Sequence, residues 1–163
     1  MTRAVAQLFW PAFWVFLADQ ASKYIVVHMM ELRTLGQIDV LPPFLQFHMA
    51  WNRGINFGLF TSDGDMGRWI LIAIALVISI GVILWTLRTK PGRWATLSAG
   101  VLVGGALANV VDRVLYGAVA DFLNMSCCGI NNPYAFNIAD IAIFAGAIGL
   151  VIFEPSKARK KGA

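Results

Sequence analysis

Long apolar runs, broken at a few polar positions, dominate the chain. Four of them approach the about 20 residues that a bilayer-crossing helix needs. They are roughly Leu8 to Val27, Trp69 to Leu87, Trp94 to Val111 and Phe136 to Phe153. The second and third carry no charge, the first holds Asp19 and Lys23, and the fourth has Asp140 near its start. The long segment 29–68 has a different texture. Phe44 to Trp51 alternates in part, follows Pro42-Pro43, and predicts a short strand in a small sheet on the membrane surface. Gly54 and Gly58 mark turns or close backbone approach, and Ile55 to Phe60 predicts a short interfacial helix. The pattern as a whole predicts an integral membrane all-α fold. It has four transmembrane helices, a small β element and one interfacial helix, all in one domain over 1–163.

Composition supports a membrane chain. Of 163 residues, 58% are hydrophobic and 13% charged, where soluble domains average about 25% charged. The mean hydropathy is +0.68. The net charge of +4 does not point to nucleic acid. Lys157, Arg159, Lys160 and Lys161 crowd into the basic tail 154–163, as a cytoplasmic flank does. The first apolar run imitates a signal peptide, but Asp19 and Lys23 stand where a small-residue cleavage site belongs, so the reading is a retained helix.

Basic residues also orient the chain. Four crossings put Arg3, the Arg88-Lys90-Arg93 loop and the tail on one side. Arg33, Arg53, Arg68 and Arg113 are spread over longer stretches on the other. Both termini are therefore expected in the cytoplasm. Trp10, Trp14, Trp69, Trp85 and Trp94 lie at or near the ends of runs, as interface anchors do, with core packing as the alternative.

This orientation places Asp121 and Asp140 on the same outer side, near the point where lipid begins. An ionised carboxylate near hydrocarbon costs several kcal/mol, from about 2.5 upward. Two of them read either as an aspartyl dyad or as unrelated polar anchors near the headgroups. In a dyad, one acid takes a proton from water while the other, protonated, polarises a carbonyl. Asp19 and Lys23 are four apart, share a helix face and can pair, with Gln20 as a third polar group. Asn52 and Gly54 fall in one outer turn with Asn56 and Phe57, and the Asn52 amide can hold a peptide backbone or simply form the turn. Gly104-Gly105, Ala106 and Ala108 predict close helix packing. Asn109, Asp112 and Arg113 then cluster at the outer end of the third run. They form either an Asp–Arg interface pair or a support for the two acids.

Other chemistries find little material. The only cysteines, Cys127 and Cys128, are adjacent, which disfavours a disulfide between them. With His28 and His48 as the only histidines, no zinc-binding spacing exists, and no metal or cofactor is expected. Both histidines read as surface or interface residues. A small proton-coupled membrane transporter is the alternative function, since membrane acids also form proton relays.

Five motifs stand in order: Asp19-Gln20-x-x-Lys23, Asn52-x-Gly54-x-x-Phe57, Gly104-Gly105-x-x-x-Asn109-x-x-Asp112-Arg113, Val119-x-Asp121-Phe122 and Phe136-Asn137-x-Ala139-Asp140. The ordered set resembles the lipoprotein signal peptidases of bacteria (signal peptidase II) over the whole chain. That resemblance implies an aspartyl endopeptidase of the bacterial inner membrane, with its active site and β element on the periplasmic side. Such enzymes remove signal peptides from diacylglyceryl-modified prolipoproteins, cutting before the lipidated cysteine. The resemblance assigns Asp121 and Asp140 as the catalytic pair. It assigns Asp19, Lys23, Asn52, Gly54, Asn109, Asp112, Arg113, Asn137 and Ala139 to shaping the site and binding substrate. It implies membrane lipid as surroundings and globomycin as an inhibitor. Asn56 stands where many members have a small residue, and the Cys127 to Asn132 segment is not part of the pattern.

Overall fold

The structure, a computed structural model, describes residues 2–54, 65–127, 129 and 132–153. The expected helix at Ile55–Phe60, the basic tail 154–163, Asn56, Phe57 and Cys128 lie outside the described residues.

Helix α1 (Arg3–Lys23) starts where the Thr2 hydroxyl accepts from the Val5 N–H, five residues before the apolar run suggested. It continues without a break into a π-helical turn, Tyr24–Met29. A single turn, α2 (Leu32–Leu35), leads into the antiparallel hairpin of β1 (Gln37–Leu41) and β2 (Leu45–Asn52). Helices α3 (Met66–Thr89) and α4 (Arg93–Tyr116) follow, joined by a short link at 90–92. Strand β3 (Val119–Met125) follows, then α5 (Ile138–Phe153). The sheet order is β1-β2-β3, so the expected strand is the middle one of three.

Helix α4 is the hub, because its sequence lets backbones approach. A Cβ on Gly100 or Gly104 would overlap the Leu8 and Ala12 carbonyls of α1. A Cβ on Gly105 would lie 2.5 Å from the Ala139 carbonyl oxygen of α5. The contacts at Gly100 and Gly104 run α1 parallel to α4. Gly105 against Ala139, and Gly146 against Leu102, run α5 antiparallel to it. Small residues gain van der Waals contact here where lipid offers no hydrophobic drive.

Helices α3 and α4 are long and apolar enough to cross a membrane; α5 is a shorter apolar helix, and α1 is diluted by its polar end. Trp10, Trp14, Trp69 and Trp94 are exposed, which decides for surface placement over core packing, while Trp85 is half-buried. Under the sheet, Val26, Leu32 and Phe122 form a small core with Phe47, whose ring meets that of Phe122 edge-on at 5.7 Å. That core pins the sheet against the end of α1.

Candidate active site

Three elements deliver the two acids and their support. On β3, side chains alternate between faces. Phe122 enters the small apolar core, and Asp121 therefore turns the other way, toward α4 and α5. Asp121 sits opposite Ala50 of β2, which brings Asn52, two residues along the same face, into diagonal reach. The Asn52 Nδ2 donates to Asp121 Oδ2 at 3.1 Å, while its Oδ1 accepts from the Gly54 N–H at 2.9 Å. Gly54 has φ +98°, a left-handed conformation suited to glycine, and a Cβ there would strike the Leu71 side chain.

Asp140 is delivered by a helix start. Phe136 pairs with Leu123 of β3, which leaves Asn137 beside Asp121. Asn137 caps α5: its Oδ1 accepts from the Asp140 N–H at 2.9 Å, and Asp140 Oδ2 accepts from the Asn137 N–H at 3.2 Å. This is a reciprocal capping box made from Asn and Asp. Fully buried, Asn137 also donates from Nδ2 to Asp121 Oδ1 at 2.6 Å. One residue thus holds both carboxyl groups. On the other side, Asn109 Nδ2 donates to Asp140 Oδ1 at 2.9 Å.

Behind the acids lies a buried ionic layer. Lys23 Nζ is 2.7 Å from Asp19 Oδ2 and 2.6 Å from Asp112 Oδ2, and it donates to Asn109 Oδ1 at 3.4 Å. Asp19 and Asp112 are fully buried. Asp112 therefore pairs with Lys23, not with its neighbour Arg113; the helix turn points the two side chains apart. Arg113 Nη1 instead donates to the Asn109 carbonyl at 3.2 Å. Asp19 belongs to this layer too, and its Oδ1 accepts from the Ala139 N–H at 2.9 Å. Sequence reasoning undervalued Gln20, whose Nε2 donates to Asp112 Oδ1 at 2.9 Å. Its only signal was its place between Asp19 and Lys23.

The electrostatics raise the proton affinity of Asp121. Burial, and then the charge of Asp140, push Asp121 up from 3.8 to about 6, against the hydrogen bonds from Asn52 and Asn137. Among the described residues, no group of three or more His, Cys, Asp and Glu side chains is placed to hold a metal ion. The His28 ring lies tilted against those of Tyr24 and Tyr116, with centroids at 5.7 Å and 6.4 Å.

Helices of membrane-crossing character and two acids bridged by one buried asparagine define a membrane enzyme of the aspartic peptidase kind. Residues 11–154 match the family model described as signal peptidase (SPase) II. The chain is 42% identical over 134 residues to a lipoprotein signal peptidase of Methylorubrum extorquens (strain PA1), covering 82% of this chain and 77% of that one. It is 43% identical over 136 residues to the lipoprotein signal peptidase of Methylobacterium radiotolerans, covering 83% and 78%. A bacterial membrane enzyme solved by the in meso method at 1.9 Å matches with TM-score 0.74 and 28% identity, over 94% of this chain and 92% of that one. The chain belongs to the signal peptidase II family. It is an aspartic peptidase that removes signal peptides from prolipoproteins at a membrane. The transporter alternative finds no support in these relatives, and the membrane acid Asp19 is tied up in an ion pair.

Proposed function

We propose that Asp121 and Asp140 are the catalytic pair, and that the bond cut lies just before a diacylglyceryl-modified cysteine. The observation that carries this is the bridge through Asn137, whose side chain donates to Asp121 and whose backbone N–H donates to Asp140. Asp121 holds the proton and Asp140 is the base. Asp140 takes a proton from water as the oxygen attacks the scissile carbonyl carbon. Asp121 gives its proton to the carbonyl oxygen, making a neutral tetrahedral intermediate. The intermediate then returns that proton to Asp121, while Asp140 protonates the leaving nitrogen as the C–N bond breaks. Water adds across the peptide bond and the pair ends as it began.

The other motif residues act around this pair. Asn52, Asn109 and Asn137 orient the carboxyl groups, Gly54 shapes the outer turn, and Arg113 holds site geometry and substrate backbone. Asp19, Lys23, Asp112 and Ala139 support them from behind.

The chain forms a single membrane domain with four crossings by α1, α3, α4 and α5, in the bacterial inner membrane. The parallel run of α1 and α4, with α5 antiparallel, puts the start of α1 and the end of α5 at one end of the bundle. Basic residues make that end cytoplasmic. The acids then face the periplasm at headgroup depth, where a lipidated cysteine sits. Globomycin would compete for the same place.

The test is to change Asp121→Asn and Asp140→Asn separately and follow a lipidated prolipoprotein on a gel. Each folded variant should leave the precursor intact. Normal processing by either one removes that residue from the mechanism.

A further inference from the structure

Lys23 touches neither acid, yet each of its three ammonium protons leads to them. The first goes to Asp112, whose Oδ2 also accepts from the Ala120 N–H at 3.2 Å. Ala120 is the residue before Asp121. The second goes to Asp19, whose Oδ1 accepts from the Ala139 N–H at 2.9 Å. Ala139 is the residue before Asp140. The third goes to Asn109 Oδ1, which turns the amide so that Nδ2 faces Asp140. One carboxylate thus grips the backbone beside each of the two acids, and one ammonium ties the two grips together. Lys23, Asp19, Asp112 and Asn109 are all buried, and the contact that reaches Asp140 is half-buried.

We propose that Lys23 is a positioning residue that sets the spacing and relative orientation of Asp121 and Asp140. Through Asp19 it is linked to α5, and through Asp112 of α4 to β3. Without its charge Asp19 and Asp112 repel each other, and the two grips separate. Ala120 and Ala139 move apart, and the acids go with them. A simple structural ion pair would stabilise the bundle and leave the chemistry alone, so the two roles are separable.

The charges facing Asp121 are Asp140 on α5, Lys23 on α1 and Arg113 on α4. Lys23 is among the influences that hold Asp121 down, so its removal moves the Asp121-governed limb of the pH–rate profile to higher pH. A cavity of about 160 Å³ lies over Lys23 and Asp112, walled by Tyr24, His28, Trp51 and Tyr116. It is large enough to admit a small alkylammonium to the vacated ammonium position.

The proposal rests on the catalytic assignment above, so the experiment carries Asp140→Asn as a control. The full-length enzyme in micelles is given lipidated prolipoprotein. Lys23→Ala should lower kcat by about 100-fold, the scale of a 1 Å misplacement, with KM within about twofold. The pH limb should rise, and ethylammonium, but not ethanol, should restore part of kcat. Should Lys23→Ala fail to fold, Lys23→Met fills the space without the charge and is read by kcat, KM and the pH limb. Full kcat in a folded Lys23 variant, or a loss of kcat with no change in the pH limb, overturns the positioning role. A cleaving Asp140→Asn overturns the catalytic assignment instead.

Discussion

Asp121→Asn should gain stability on the parent as pH rises. The carboxyl is 3% exposed and raised from 3.8 to about 6 by burial and the charge of Asp140. A folded-state acid with a raised value stays protonated while its unfolded counterpart ionises. Its contribution is therefore fully present below pH 3.8 and is lost as pH rises through about 6. The interval between 3.8 and about 6 converts to about 3 kcal/mol, which the parent forfeits by pH 8. Asparagine does not titrate and forfeits nothing. A second cost does not depend on pH. Asn52 and Asn137 both donate to Asp121, and each has its own oxygen committed to a backbone N–H. The new amide must therefore turn an NH2 toward one donor, at about 1–3 kcal/mol. The quantity to measure is thus the change in the difference between the two proteins. Urea unfolding in mixed micelles, followed by tryptophan fluorescence at pH 4 and pH 8, should show the variant gaining about 2–3 kcal/mol on the parent across that range. A constant difference would refute the claim that Asp121 carries a raised proton affinity.

Asn137→Ala should remove the cap of α5 and both links to Asp121 and Asp140, lowering stability by about 1–3 kcal/mol; cleavage rate and thermal melting together check it, and an unaltered rate would contradict the bridge. Gly104→Val forces its side chain into the Ala12 carbonyl, and a melting temperature equal to the parent's would disprove the close seam, since overpacking costs about 1–3 kcal/mol. Gly105→Ala presses on the Ala139 carbonyl at 2.5 Å and should depress cleavage more than Gly104→Ala, because Asp140 follows Ala139; matched assays of the two variants decide.

The four long helices were readable because extended apolar runs mark them. Their ends were less so: α1 begins at Arg3 because Thr2 caps it, a cue that carries no hydrophobicity. The sheet was half legible. β2 alternates enough to be seen, but β3 is buried at five of its seven positions, on both faces, so the alternation that marks a strand is missing. β1 is short and mostly exposed, and gave no pattern. In the site, the pairing of Asp19 with Lys23 followed from helix spacing. That Asp112 joins them did not, because its partner comes from a distant helix and the neighbouring Arg113 was a plausible substitute. The central role of Asn137 was hidden for a similar reason: an N-x-x-D pattern looks like an ordinary helix start, and only the strand beside it turns a cap into a bridge.

That cap has a consequence for how the chain can vary. Asp140 helps close the first turn of its own helix, so the acid and the helix origin are one object. A residue inserted or deleted between Asn137 and Asp140 would not simply shift the acid by a fraction of a turn. It would move the place where the helix begins, unlatch the Asn137 amide from Asp121 and leave the first-turn N–H groups unmet. Length changes should therefore be tolerated before Phe136 and forbidden in the three residues after it, whatever their sequence.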